Sequence, residues 1–277
     1  DTAEEIRIRQ NKPIVIRKDC ENFFMKNGEV CRMKDAFKPH KDEIQDTLSR
    51  MCEYSPYAYS DEIRRGFITI EGGFRVGIAG TAVECKDGIS TIKYINSLNI
   101  RISRELTGCA DKVMKYVYGN TLIISPPGCG KTTILRDIIR QISNQGINIS
   151  VVDERCEISG MYLGNIQFDL GICTDVLCCY SKSIGMNMML RSMGPKIIAV
   201  DEIGSDEDIL AIHNLLNSGV KIIATIHCDT IENILQKPFI ENIVKEKIFD
   251  SYIILNNNKK TGDLYKIYDK ELNIVWQ

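Results

Sequence analysis

The chain has 277 residues, 44% of them apolar and 26% charged, with a formal net charge of −2 and a pI near 6.0. That length accommodates a small domain beside a medium one, and that composition excludes a disordered or fibrous chain. The balance of charge lacks the basic excess with which a dedicated nucleic-acid binder neutralises phosphates, so nucleic acid is not the expected partner.

Eleven cysteines are present, an odd number with no C-x-x-C pair, and Cys178 and Cys179 are adjacent. Free thiols serving as small apolar fillers in a reducing compartment are expected, rather than a metal cluster or a disulfide framework. No run approaches the roughly 18 uninterrupted apolar residues of a spanning helix, and the start lacks a basic-then-apolar leader, so a soluble, cytoplasmic chain is expected. The sequence opens at Asp1 rather than Met, and part of the natural N-terminus is expected to lie upstream.

In chain order, EEIRIRQNKPIVI alternates as a strand does, and KDEIQDTLSRMCEYSPYAY carries a helical period that runs toward Pro56. Phe67 to Ile70 and Phe74 to Ala79 flank Gly72-Gly73, a pair suited to the positive φ angles of a tight turn, and so predict a hairpin. INSLNIRISREL predicts another strand, followed by a short helix from Asp111 to Tyr118. These residues read as an α+β domain over 1–108. Beyond Asn120 the pattern becomes strand, helix, strand, helix. TLIIS, ISVVDE, PKIIAVDE, VKIIATIH and SYIILN are continuous apolar runs, separated by amphipathic stretches such as KTTILRDIIRQISNQG and DEDILAIHNLLNSG. Such alternation predicts an α/β domain over 109–277, a mostly parallel sheet with helices on both faces, and LYKIYDKELNIVW adds a closing hairpin. SIGMNMMLRSMG reads as a helix whose Met186, Met188, Met189 and Met193 fill the core, with Arg191 able to reach the site.

SPPGCGKTT, Ser125 to Thr133, lies between a strand and a helix, as a phosphate-binding P-loop requires. Pro127, Gly128, Cys129 and Gly130 form the bend whose inward N–H groups wrap phosphates, and the following helix aims its positive end at them. Lys131 supplies an ammonium for the β- and γ-phosphates, Thr132 a hydroxyl for Mg²⁺, and Thr133 completes the cradle. Ser125 stands where G-x-x-x-x-G-K-[ST] has its first Gly, which it can do at negative φ. The strand IIAVDE then delivers two acids to the carboxyl edge of a parallel sheet, with Asp201 expected on the Mg²⁺ shell and Glu202 as the base that polarises water. ATIH brings Thr225 or His227 to the same edge as a sensor of the γ-phosphate, provided that its strand lies between the two motif strands. His40 and His213 have no such placement and read as ordinary surface or helix residues. VVDERCEI ends in Asp153, Glu154, Arg155 and Glu157, which serve either the metal's water shell and a neighbouring subunit or only a solvated strand end with internal ion pairs. ATP with Mg²⁺ is the expected ligand, although no base-reading motif separates ATP from GTP.

With these motifs in order, the chain resembles the stage III sporulation protein AA family over nearly its whole length. The segments EEIRIRQNKP, GFITIEGGFRVGIAG, LNIRISREL, LIISPPGCGKTTILRDIIR, VVDERCEISG, RSMGPKIIAVDEIG and ATIH carry the resemblance, several of them outside any generic nucleotide motif. That family is similar in turn to the type II and type IV secretion ATPases. The resemblance implies a RecA-like core with an acidic box that includes Glu154, a hexameric ring, and arginines of the N-terminal domain that complete a neighbour's site. Arg75, Arg101 and Arg104 are the candidates for that role. It also implies peripheral attachment to membrane proteins of a channel complex between mother cell and forespore, powered by hydrolysis. A RecA-like nucleic-acid motor and a nucleotide-gated scaffold with little turnover are the alternatives.

Overall fold

The computed structural model describes residues 3–18, 21–85, 88–117, 119–235, 238–256 and 264–276. The chain divides into two compact units, one of residues 1–104 with 160–167 and the other of 105–159 with 168–277.

The first unit is an antiparallel sheet backed by two helices. Its strands are β1 (Glu5–Arg9), β2 (Val15–Lys18), β3 (Glu21–Lys26), β4 (Glu29–Cys31), β5 (Phe67–Ile70), β6 (Phe74–Cys85) and β7 (Gly88–Arg101), in the order β4-β3-β2-β1-β7-β6-β5. The stretch EEIRIRQNKPIVI, expected as one strand, is two. Asn11 adopts φ 56° and Pro13 offers no N–H, so the ladder breaks there and β2 folds back on β1. The hairpin expected around Gly72-Gly73 forms, with both residues at positive φ, 82° and 71°. Helices α1 (Lys41–Met51) and α2 (Ser60–Arg64) lay Ile44, Leu48 and Ile63 against Ile68, Val76, Ile78 and Leu98. Helix α1 stops short of Pro56 because Glu53 and Tyr54 turn to φ 50° and 59°. His40 precedes α1, its amide donating to Glu43 Oε2 (2.8 Å), and stays exposed as expected. Residues 160–167 join this unit through Tyr162, whose hydroxyl donates to Glu53, and through Gln167, whose Oε1 accepts the Gly72 amide (2.9 Å).

The second unit holds a sheet of order β10-β9-β11-β12-β8-β13-β14-β15. Its strands are β8 (Thr121–Ser125), β9 (Ile149–Asp153), β10 (Thr174–Cys178), β11 (Ile197–Val200), β12 (Lys221–His227), β13 (Ser251–Leu255), β14 (Leu264–Asp269) and β15 (Ile274–Trp276). From β10 to β13 every pairing is parallel, and β14 and β15 close the edge as the expected antiparallel hairpin. Alternate residues serve opposite faces. Ile123, Val151, Ala199, Ile223 and Ile253 meet α3 (Lys131–Ser143). Leu122, Val152, Ile198, Ile222 and Tyr252 belong to the core on the other face, with α4 (Lys182–Met193), α5 (Asp206–Asn217), α6 (Ile231–Leu235) and α7 (Pro238–Lys245). Burial on both faces explains why these strands are continuous apolar runs.

The helix expected from Asp111 is instead a turn followed by a 3₁₀ segment, Met114–Tyr116, and its expected end at Tyr118 lies outside the described residues. The Ala110 amide is drawn off to Asp137 Oδ2 (2.8 Å), and Val113, Tyr116 and Val117 each bond three residues back, so no α ladder starts. Of its four methionines, helix α4 buries Met186 and Met189. Met188 and Met193 are 45% and 44% exposed, and Arg191 sits in its last turn, at the helix end away from the strands' carboxyl edge. Met188 is two positions from Met186 and one from Met189, so it points off the buried stripe.

Two features fix the loops that carry the motifs. Gly185 lets α4 lie directly on β9, since a Cβ there would stand 2.5 Å from Val152 Cγ1. Asp153, 2% exposed, accepts the amides of Glu157 (2.9 Å), Ile158 (3.1 Å) and Ser159 (2.8 Å) and the Ser159 hydroxyl (2.7 Å). Burial pushes its carboxyl above the ordinary range, against the Ser159 and Ile158 donors that pull it down. The solvated strand end considered for VVDERCEI therefore does not include Asp153. Helix propensity favours Gly185→Ala by about 1 kcal/mol, yet the overlap with Val152 costs about 1–3 kcal/mol, so the variant should melt below the wild type, and an unchanged or raised Tm would refute this packing. Asp153→Asn sets an NH₂ against an N–H donor and should lose about 1–3 kcal/mol, read as a lower midpoint in denaturant.

Candidate nucleotide site

Strand β12 lies between β11 and β8, so three adjacent strand ends deliver the motif residues to one edge. Beyond β8, Gly128 and Gly130 take φ 78° and 87°, and Ser125 is not among the residues at positive φ, as its place in the loop demands. A Cβ on Gly128 would meet no atom within 4 Å, so the bend opens onto free space. Helix α3 begins at Lys131 with no side chain capping its first turn, which leaves its leading N–H groups available to an anion.

Lys131 is 5% exposed, and its Nζ meets His227 Nδ1 at 2.8 Å. An ammonium only donates, so Nδ1 carries the lone pair and the proton sits on Nε2, which donates to Glu202 Oε1 at 2.6 Å. Burial draws the Lys131 ammonium below its ordinary pKa, with Asp201 and Glu202 opposing. The Thr132 hydroxyl donates to Asp201 Oδ2 at 2.7 Å, joining the two motifs. Thr225 is fully buried; its hydroxyl donates to Asp201 Oδ1 and accepts the Glu202 amide at 2.9 Å. Glu202 itself sits at φ 55°, an uncommon setting for a non-glycine. Arg155 Nη1 donates to Glu202 Oε2 at 2.8 Å. Burial works to raise the Glu202 carboxyl, but Arg155, His227 and Lys131 outweigh it and hold it below the usual carboxylate range.

A cleft beside these groups is lined by Asp153, Glu154, Arg155, Lys182, Asp201 and Glu202. Glu154 accepts from Lys182 Nζ at its rim. Thr133 lies in the first turn of α3 with its carbonyl near Cys109 Sγ, at 3.7 Å, and Cys129 is buried within the bend, its Sγ 3.7 Å from the Pro127 carbonyl. Thus Lys131, Thr132, Asp201, Glu202 and His227 converge, with Glu154 close by. Arg75, Arg101 and Arg104 belong to the other unit. There Arg75 and Arg101 are cross-strand neighbours, Arg75 stacks on the Phe67 ring at 3.9 Å, and Arg104 Nη2 donates to the Ala3 carbonyl at 2.9 Å. His213 lies on α5, its Nε2 3.6 Å from Glu246. Sequence reasoning gave Arg155 no partner and passed over Lys182. Arg155 follows a motif strand directly, which is a usable signal, whereas nothing local distinguishes Lys182.

The described residues include no helix long and apolar enough to cross a membrane. Among solved structures, the Legionella pneumophila ATPase DotB superposes with a TM-score of 0.62 at 14% identity, covering 97% of this chain and 77% of that one. The pilus retraction motor PilT with bound ADP gives 0.57 at 17% identity, over 91% and 74% of the two chains. At such identities the likeness is one of fold: this chain has the fold of DotB and PilT. Stage III sporulation protein AA of Bacillus subtilis (strain 168) is 36% identical over 282 residues, 98% of this chain and 88% of that protein. An uncharacterized protein ycf45 of Cyanidium caldarium is 29% identical over 60% of this chain and 52% of its own length. The family described as sporulation stage III, protein AA, matches residues 1–275, nearly the whole sequence, and the chain belongs to that family.

Proposed function

We propose that this chain binds ATP with Mg²⁺, hydrolyses it, and thereby powers a secretion-like membrane channel complex during sporulation. The observation that carries the chemistry is the hydrogen bond from Thr132 to Asp201, which ties a phosphate-binding loop to an acid 69 residues away, beside a buried lysine and a second carboxylate. The donor set suits a hard divalent cation, because a hydroxyl and a carboxylate converge where the bend and the uncapped helix start can hold polyphosphate oxygens. Thr132 and Asp201 would hold Mg²⁺, which when bound neutralises charge on the β- and γ-phosphate oxygens.

The residues of the chain do the rest. Lys131 exchanges His227 for phosphate oxygens. Glu202, aimed by its left-handed backbone and by Thr225, accepts a hydrogen bond from the attacking water and orients it. His227, released by Lys131, keeps an acceptor nitrogen toward the site, and Glu154 stands at the rim to engage the hydration shell. In the same proposal the residues before about position 108 act as a second domain, and Arg75, Arg101 or Arg104 of one copy completes the site of the next within a hexamer. A permanently charged planar fork suits oxygens that gain charge in the transition state. Residence in the mother-cell cytoplasm, with attachment to membrane through partner proteins, is part of the same proposal.

Lys131→Ala removes a charged donor and should weaken MgADP binding about 10- to 100-fold by calorimetry, the equivalent of roughly 1.5–3 kcal/mol. Glu202→Gln should bind nucleotide normally yet lower phosphate release at least ~100-fold; wild-type turnover by this variant would remove Glu202 from the mechanism. Stimulation of turnover by single-stranded DNA, lost steeply with salt, would favour a nucleic-acid motor instead.

A further inference from the structure

Both carboxylate oxygens of Glu202 are engaged, Oε1 by His227 and Oε2 by Arg155. A carboxylate held by a guanidinium on one oxygen and an imidazole on the other has little capacity left to accept a proton from water. The two partners differ in how firmly they are seated. His227 ends a strand paired with β8, its backbone fixed by the sheet. Arg155 projects from the loop between β9 and Ser159, with 56% of its side chain exposed against 24% for Glu202. A half-exposed ion pair is weak, so Arg155 can leave Glu202 for water at little cost.

These contacts form one line: Lys131 to His227, His227 to Glu202, Glu202 to Arg155. Each link satisfies the next, and the Lys131 end lies where the bend opens.

We propose that Arg155 is a positioning residue that restrains Glu202 by competing with the attacking water for its carboxylate. This rests on the ATPase reading above and adds to it a restraint on turnover built into the VVDERCEI loop. Arg155 is the one member of the line whose removal should speed the reaction.

Two measurements on the full chain test this. In steady state, Arg155→Ala should raise kcat about three- to tenfold, a barrier change of up to ~1.4 kcal/mol, with KM for ATP within about twofold of the wild type, and Arg155→Lys should restore the slow rate. A lowered kcat or a raised KM would mean that Arg155 serves the phosphates, and would overturn the proposal. In thermal unfolding without nucleotide, the Tm shifts of Arg155→Ala and Glu202→Ala should be non-additive by about 1–3 °C. Additive shifts without nucleotide would overturn it as well. Failure of the wild type to take up MgADP would instead overturn the ATPase reading, while the nucleotide-free cycle still decides whether the pair exists.

Discussion

The geometry of the candidate site turns on one hydroxyl. Thr225 is inaccessible to water, and its oxygen gives its proton to Asp201 and receives the amide of Glu202. A buried hydroxyl left without partners is costly, and here both partners are motif residues, so satisfying Thr225 also fixes where the two acids point. The bond to the Glu202 amide meets a backbone that must hold φ 55° without glycine's freedom, which lets consecutive acids take different roles, one tied to Thr132 and one to His227 and Arg155. None of this works unless β12 lies beside β11, which is a property of the sheet order.

Charge follows the same economy. Lys131 is buried, a condition that disfavours an ammonium, and the two carboxylates nearby answer it. Positive groups gather on Glu202 in turn, which keeps it ionised, and an ionised carboxylate is what a water-orienting role needs. Asp153 shows the other use of an acid at a strand end. It is held by three amides, the Ser159 hydroxyl and the Cys178 thiol, and it shapes the loop that presents Arg155.

How much of this could be read from the residues depended on how strongly each segment was buried. The strands of the second unit are apolar on both faces, and their runs stand out against amphipathic helices. The edge strand Thr174–Cys178 is only half-buried along its length, and its TDVLC carries no such signature. In the first unit β2, β3 and β4 are short and have no buried residue, so alternation blurred across the Asn11 turn. The motif residues were visible because phosphate chemistry demands particular types at fixed spacing. Lys182 and the partner of Arg155 were not, since both contacts arise between segments far apart in sequence, and only the paired strands bring them together. Met188 misled because composition suggests burial where helical phase decides it, and Met193, in phase with Met186 and Met189, is exposed at the last position of the helix.

One consequence of the chain's path remains. Residues 160–167 leave the second unit immediately after Ser159, where the Asp153 knot ends, bond to Glu53 and Gly72, and return at Phe168, which packs under the Arg136 guanidinium at 3.9 Å. A single cut near residue 104 therefore does not separate the two units, because eight of the residues that follow the cut fold with the first. The sequence is interleaved, and any exchange of the N-terminal unit must carry a matching 160–167 graft with it.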